Sequence, residues 1–122
     1  MTILVKPEEM PTRRGKGWSE TVRVDGRVLR DRVLAARLYT QEPNARGPVL
    51  EHGRAEGCLY VKGGGGSLVA GEGRLPLGPE SFVWLEPGER FQLEAGPEGL
   101  EVVYSAAPGY ALGVERPAEG IP

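Results

Sequence analysis

The residues best equipped for chemistry lie near the middle of the chain. His52 is the only histidine among the 122 residues, and Glu56 follows it by four positions. An imidazole can bind a metal or act as a general base near neutral pH, and a carboxylate can join it in either role. A lone histidine is more often an inward group hydrogen-bonded to a carboxylate, a carbonyl or a water. Either way, His52 and Glu56 form the best candidate site.

The spacing around this pair follows a recognisable pattern. Leu50 stands two residues before His52, and Gly63 closes the segment seven residues after Glu56. This segment resembles the first motif of the cupin superfamily, which reads histidine, any residue, histidine, three residues, glutamate, six residues and glycine. Leu50 occupies the position of the first histidine of that motif.

A later segment resembles the second cupin motif. It runs from Gly78 through an apolar stretch to the turn Pro87-Gly88, and the family's histidine would stand three residues past that last glycine. Phe91 holds that position, and Ala95 stands where the family often has asparagine. Together the two motifs cover residues 47 to 95.

The resemblance implies an all-β fold, a cupin-type jelly-roll β-barrel or double-sheet sandwich. A metal centre of the usual cupin kind takes three histidines and one carboxylate. We expect Leu50 and Phe91 to project into that space, since residues two apart on a strand share a face. Their side chains offer no lone pair and lower the local dielectric, which disfavours a divalent ion.

Three functions therefore remain open. The first, which we prefer, is a cupin-fold protein without a cofactor that binds a small molecule in the barrel or serves as a dimeric module. The second is a metal-dependent enzyme, a dioxygenase or an isomerase, with an altered ligand set that uses His52 and Glu56. The third is a metal-independent isomerase or epimerase with His52 as base and a tyrosine as acid, as in some cupin relatives.

Other side chains could line or rim a cavity in the barrel. Beside His52 and Glu56, we expect Tyr39, Tyr60, Phe91 and Leu50 to be the residues that contact a ligand. A further group could line the cavity, pack the barrel or form a dimer contact: Trp84, Tyr104 and Arg37. Arginine and tyrosine side chains could recognise a carboxylate or a sugar.

Frequent glycine and proline residues predict short strands separated by turns. Asp25-Gly26 suits a tight hairpin turn after Val24. Between Arg27 and Glu42, alternation from about Leu34 favours a strand over a helix. We expect Gly63 to Gly66 to form a flexible hairpin turn. The remaining strands are predicted at Val49 to His52, Cys58 to Lys62, Ser67 to Ala70, Arg74 to Leu77, Ser81 to Leu85, Phe91 to Ala95 and Leu100 to Ser105.

We expect a single domain over residues 1–122. N-terminal strands or an arm would occupy residues 1–33, the cupin-like barrel residues 34–108, and an irregular tail residues 109–122. The stretch from Ser81 to Leu85 is apolar on both faces, so exposure of its outer side would cost several kcal/mol, at about 25 cal/mol per Å². Cover by a second subunit predicts a homodimer, as in many cupins.

Composition limits the partners and the compartment. The formal net charge is −2, and the first 37 residues hold nine of the 15 basic residues. Those arginines are scattered among apolar residues, which is typical of the wet face of strands, so we expect no nucleic-acid binding. The single cysteine, Cys58, requires no oxidising compartment, and no apolar run is long enough for a membrane span. We expect a cytoplasmic protein, and the scarcity of amides hints at a thermophilic source.

Overall fold

The computed structural model describes residues 12–24, 35–51, 56–71 and 73–107. Within these ranges the chain forms antiparallel strands and no helix. In chain order they are β1 (Thr12–Gly15), β2 (Trp18–Val24), β3 (Ala35–Gln41), β4 (Arg46–Glu51), β5 (Glu56–Ala70), β6 (Gly73–Leu77), β7 (Phe82–Leu85) and β8 (Arg90–Ala107). The all-β prediction is confirmed.

Two long strands organise the fold. β5 and β8 pair with each other along most of their length. The first half of β5 also pairs with β7, and the second half of β8 with β3, so the first sheet runs β1-β2-β3-β8-β5-β7. The second half of β5 pairs with β6, and the first half of β8 with β4, so the second sheet runs β4-β8-β5-β6. These two layers form the predicted double-sheet barrel.

The predicted hairpin turn at Gly63 to Gly66 is wrong. These glycines lie inside β5, where register shifts mark the bend from the first sheet into the second. A Cβ atom at Gly64 would lie 2.1 Å from the carbonyl oxygen of Gly99, and its φ angle is 72°. Glycine is therefore required because the facing strand approaches too closely for a side chain. The break expected between the last two predicted strands is likewise absent, since β8 is continuous.

The predicted strand from about Leu34 is confirmed, because β3 begins at Ala35. The turn predicted at Asp25-Gly26 and the irregular tail of residues 109–122 lie outside the described residues. The N-terminal strands were predicted within residues 1–33 without exact bounds, and β1 pairs there with β2 around a tight turn at Lys16 and Gly17. Gly17 has a φ angle of 78°, a conformation that glycine adopts without steric cost.

The core lies between the two sheets. Phe91, Leu93 and Ala95 alternate into it from β8, as predicted, while Gln92 and Glu94 are only partly buried. The other buried apolar side chains are Tyr39, Leu50, Leu59, Val61, Leu68, Leu77, Leu85, Leu100, Val102, Tyr104 and Ala106. The described part of the chain has no helical segment with the length and hydropathy of a membrane crossing.

Candidate functional site

The interior wall on the second sheet is hydrocarbon. Leu50 on β4 and Phe91 on β8 are cross-strand partners, and neither is more than 1% exposed. Directly paired residues in an antiparallel sheet point to the same face, so these two side chains pack side by side in the core. They stand at the two positions where the cupin motifs carry histidine ligands.

The remaining residues of the predicted site are not gathered beside this wall. His52 lies outside the described residues. Glu56 begins β5 and is exposed, on the face of that strand opposite to the buried Leu59 and Val61. Among the described residues, no three His, Cys, Asp or Glu side chains come close enough to hold a metal ion. Leu50 and Phe91, at two of the positions where the cupin motifs carry histidine, have no atom that can ligate a metal.

On the first sheet, the interior side of β2 and β3 carries buried polar groups. Glu20 on β2 is 4% exposed and accepts a hydrogen bond from the Tyr39 hydroxyl. Its Oε2 atom also accepts a hydrogen bond of 3.0 Å from Nη2 of Arg13 and lies 3.7 Å from Nη1 of the buried Arg37. A buried carboxylate is stable when it is paired in this way. We call Glu20, Tyr39, Arg13 and Arg37 the carboxylate cluster.

Aromatic rings join the two walls. The ring of Tyr104 on β8 meets Phe91 edge to face, with 6.0 Å between centroids. On its other side it stacks on Tyr39 at 6.3 Å. Aromatic pairs at these separations contribute about 0.5–1.5 kcal/mol beyond their burial. The interior thus passes from hydrocarbon at Phe91, through two rings, to the carboxylate of Glu20.

Strand pairing brings the carboxylate cluster together. Glu20 pairs with Tyr39 across β2 and β3, and Arg37 pairs with Tyr104 across β3 and β8. The alternation of Arg37, Tyr39 and Gln41 then directs all three inward, and all three are buried. The sequence identified Arg37, Tyr39 and Tyr104 as possible lining residues and missed Glu20. Glu20 is recognisable as part of the cluster only from its position opposite Tyr39, which requires the register of β2 and β3.

Gln41 continues this polar row toward the end of the barrel. Its Nε2 atom donates hydrogen bonds to the carbonyl oxygens of Ala45 at 3.1 Å and Leu93 at 3.0 Å. The amide thereby ties β3 to β8 and to the turn before β4. These two hydrogen bonds give Gln41 a structural role, as a bridge between strands.

Two of the predicted lining residues lie on the outside of the first sheet. Tyr60 is only partly buried and contacts the ring of Phe82 at 4.8 Å. Trp84 is 58% exposed beside Cys58, its cross-strand partner on β5. The structure therefore does not bring Tyr60 or Trp84 together with Leu50 and Phe91.

A surface depression adjoins the hydrocarbon wall. It has a volume of about 460 Å³ and is lined by Ala70, Gly71, Gly88, Glu89 and Arg90. Ala70 is the cross-strand partner of the buried Phe91. Its lining includes two neighbouring charged residues of opposite sign, Glu89 and Arg90. None of the residues of the carboxylate cluster lines it.

The carboxylate cluster has a defined chemical capacity. The Glu20 carboxylate accepts hydrogen bonds, and the Tyr39 hydroxyl donates one to it. Buried charge-assisted hydrogen bonds of this kind hold their groups in fixed geometry.

A scan against protein-family models finds no match for this sequence, and a search of the curated proteins finds none either. Solved structures do match. A Streptomyces Pac13 variant with uridine has a TM-score of 0.76 at 20% identity, covering 100% of this chain and 94% of that one. Pac13 itself, called a nucleoside dehydratase, has a TM-score of 0.77.

A variant of Bacillus subtilis oxalate decarboxylase has a TM-score of 0.79 at 16% identity. The match covers 97% of this chain but 34% of that one, so the chain spans about a third of the decarboxylase. Both proteins have the cupin fold, and likeness at this level of identity establishes fold. The chain is therefore a cupin-fold protein, an antiparallel β-barrel of two layers.

Proposed function

We propose that this cupin-fold protein binds a small hydroxylated molecule in its barrel and does so without a metal ion. The observation that carries the proposal is the pairing of buried Leu50 with buried Phe91. Two carbon side chains at those positions leave a divalent ion without half of its usual protein ligands, and a low-dielectric wall beside it disfavours the charge.

The ligand class follows from the other wall. A buried carboxylate with a tyrosine hydroxyl beside it suits the hydroxyl groups of a sugar, because each hydroxyl both donates and accepts. The rings of Tyr39 and Tyr104 suit a planar group such as a nucleobase. A nucleoside combines both features, and the Pac13 structures solved with uridine match the full length of this chain.

The experiment is isothermal titration calorimetry with uridine as the probe, on protein treated with EDTA. We expect binding that is unchanged when manganese, zinc or nickel salts are restored. Tyr39→Phe should weaken binding about tenfold, the effect of losing one well-placed hydrogen bond. Tyr60→Phe is the matched control, because it removes the same hydroxyl from the outer face of the first sheet.

Two results would contradict the proposal. One is binding that appears only after a metal is restored, together with near-stoichiometric metal in protein purified without a tag. The other is equal binding by wild type and Tyr39→Phe. Binding of a sugar or another nucleoside in place of uridine, lost in Tyr39→Phe, would keep the site and change the ligand.

A second function is a metal-independent isomerase or epimerase in which His52 is the base and a tyrosine is the acid. The observation behind it is the hydrogen bond between the Tyr39 hydroxyl and the buried Glu20 carboxyl group. The hydroxyl would turn to give its proton to the substrate, and Glu20 would relay a proton back to it after the product leaves. In a screen of sugar nucleotides and small keto acids, His52→Gln should abolish turnover while leaving the melting temperature unchanged. Turnover that survives in His52→Gln would exclude this function.

A further inference from the structure

Arg13 is the member of the carboxylate cluster that reaches solvent. Its side chain is 40% exposed, whereas Glu20, Tyr39 and Arg37 are all buried. Arg13 lies on β1, which forms one edge of the first sheet. A ligand that approaches the cluster across this edge would therefore meet the guanidinium of Arg13 before it meets the buried carboxylate.

The hairpin of β1 and β2 holds the Arg13 side chain between two groups. Arg13 pairs with Glu20, and Gly15 pairs with Trp18, so all four residues share one face of the hairpin. The Trp18 indole lies across Gly15, where a Cβ atom would overlap the ring. The guanidinium carbon of Arg13 lies 5.6 Å from the centroid of this ring. The indole and the Glu20 carboxylate together restrict the orientation of the guanidinium.

Arg13 has hydrogen-bond donors to offer a ligand. A guanidinium carries five N–H donors. One nitrogen of Arg13, Nη2, donates to Oε2 of Glu20 at 3.0 Å. The Nε atom is buried and has no hydrogen-bond partner within the part of the chain that the structure describes. A buried donor without an acceptor is unfavourable, so an acceptor supplied by a ligand would be stabilising there.

We propose that Arg13, held on the Trp18 indole, binds an anionic group of the ligand, a phosphate or a carboxylate. This inference rests on the proposed function, in which hydroxyl groups of the same ligand bind at Glu20 and Tyr39. A planar guanidinium suits oxyanions because it can donate two parallel hydrogen bonds. It would also stand between the two anions, with Glu20 on one side and the ligand on the other. The ligand class narrows to a nucleoside or a sugar that carries an acidic group.

The next residue along the strand is a matched control. Arg14 pairs with Ser19 and lies on the opposite face of β1, where it is exposed. Arg13 and Arg14 therefore bring the same charge to the same edge of the sheet, but only Arg13 faces the carboxylate cluster. An effect of positive charge in general would appear in variants of either residue, whereas an effect of the subsite would appear in variants of Arg13.

The first experiment compares neutral and anionic ligands by isothermal titration calorimetry. One pair is uridine and uridine 5′-monophosphate, which adds a phosphate, and the other is glucose and glucuronate, which adds a carboxylate. In wild type, the anionic member of at least one pair should bind about tenfold tighter than its neutral parent, because charge-assisted hydrogen bonds are strong. Added sodium chloride should reduce this ratio. The pair with the larger ratio distinguishes a phosphate from a carboxylate.

The ratio of the two dissociation constants, rather than either constant alone, tests Arg13. Arg13→Gln also removes a hydrogen bond to Glu20, so it should weaken the neutral and the anionic ligand alike. Its specific effect should be a ratio that falls to about one. Arg14→Gln should keep the wild-type ratio. Melting curves by circular dichroism would show that each variant is folded at the temperature of the titration.

A second measurement needs no change at Arg13. The chain has two tryptophans, and Trp84 lies exposed on the outside of the first sheet. Trp84→Phe therefore leaves Trp18 as the sole indole. In this variant the anionic ligand should change the tryptophan fluorescence along a saturable curve, and its neutral parent should change it less, because the acidic group would lie beside the Arg13–Trp18 pair.

This inference and the proposed function fail in different ways. If neither neutral nor anionic ligands bind to wild type, the proposed function is wrong and the subsite is wrong with it. If uridine binds but both ratios are about one, the proposed function stands and the anionic subsite is refuted. A ratio that persists in Arg13→Gln, or that Arg14→Gln abolishes equally, would place the anionic group elsewhere and overturn the assignment to Arg13.

Discussion

The carboxylate cluster gives the sharpest test of the interior described above. Replacing Glu20 by glutamine keeps the shape of the side chain and removes its charge. Arg13 has a side chain that is 40% exposed and can turn to water, but the side chain of Arg37 is 9% exposed. Removing one partner of a buried ion pair costs about 3–5 kcal/mol. Because the Arg13 side chain can be rehydrated, we expect Glu20→Gln to lower the free energy of unfolding by about 3 kcal/mol, the lower end of this range.

Tyr39→Phe removes only the hydroxyl group that donates to Glu20. A hydrogen bond to a charged group contributes about 1.5–3 kcal/mol, so we expect a loss of about 2 kcal/mol. If the two groups act through the same contact, the double variant should lose about 1–2 kcal/mol less than the sum of the single losses. Independent effects that add would show that the hydroxyl and the carboxylate do not interact.

The assay is urea denaturation followed by far-UV circular dichroism, with the free energy of unfolding extrapolated to water. The matched control is Glu101→Gln, because the side chain of this glutamate is 40% exposed and lies 3.8 Å from an exposed lysine, so the loss of stability should stay within about 0.5 kcal/mol. If the free energy of unfolding falls with urea concentration at the same slope in all variants, they unfold from comparable native states. A loss below about 1 kcal/mol in Glu20→Gln would refute the idea of a buried, engaged carboxylate.

Three further changes test the bend, the second sheet and the hydrocarbon wall. Gly64→Ala should lose at least about 3 kcal/mol by the same denaturation assay, because its Cβ would strike the facing backbone, whereas Gly78→Ala has open space and should change little. Glu94 has a lowered pKa, first because one arginine donates a hydrogen bond to it and then because two guanidinium charges lie nearby. The ionised Glu94 carboxylate therefore stabilises the fold above its usual pKa of 4.5, and this stabilisation is lost as the pH falls through the folded-state pKa. At pH 7 the free energy of unfolding of wild type should exceed that of Glu94→Gln by about 1 kcal/mol, and this difference should vanish in acid. Phe91→Ala should lose about 3–5 kcal/mol, and a loss below about 1 kcal/mol in this variant would show a loosely packed wall.

Local pattern was enough to predict most of the residues that lie in strands and the hydrocarbon wall, but not where β5 and β8 continue through their bends. The alternation of Phe91, Leu93 and Ala95 determines which side of β8 is buried, because side chains on a strand alternate between two faces. Leu50 could be placed inside by the same argument, through its position in a motif that resembles that of the cupins. These inferences need only neighbours in sequence.

The bend in β5 and the position of Glu20 depend on pairing between strands far apart in sequence, so local pattern could not predict them. Four consecutive glycines suit a hairpin turn and a sharp bend equally well. Only the pairing of Gly64 with Leu100, which brings it against the carbonyl of Gly99, selects the bend. Glu20 was missed for the same reason, because its partner Tyr39 lies 19 residues away on another strand. The role of His52 and Glu56 as a pair stays a prediction.

The sharing of β5 and β8 between both layers has a consequence for how the chain folds. Neither layer can assemble fully before residues far apart in sequence have met, so folding must first overcome a large loss of chain entropy. Once joined, the layers cannot separate unless the same two strands come apart. Barrel opening and global unfolding should therefore be one event.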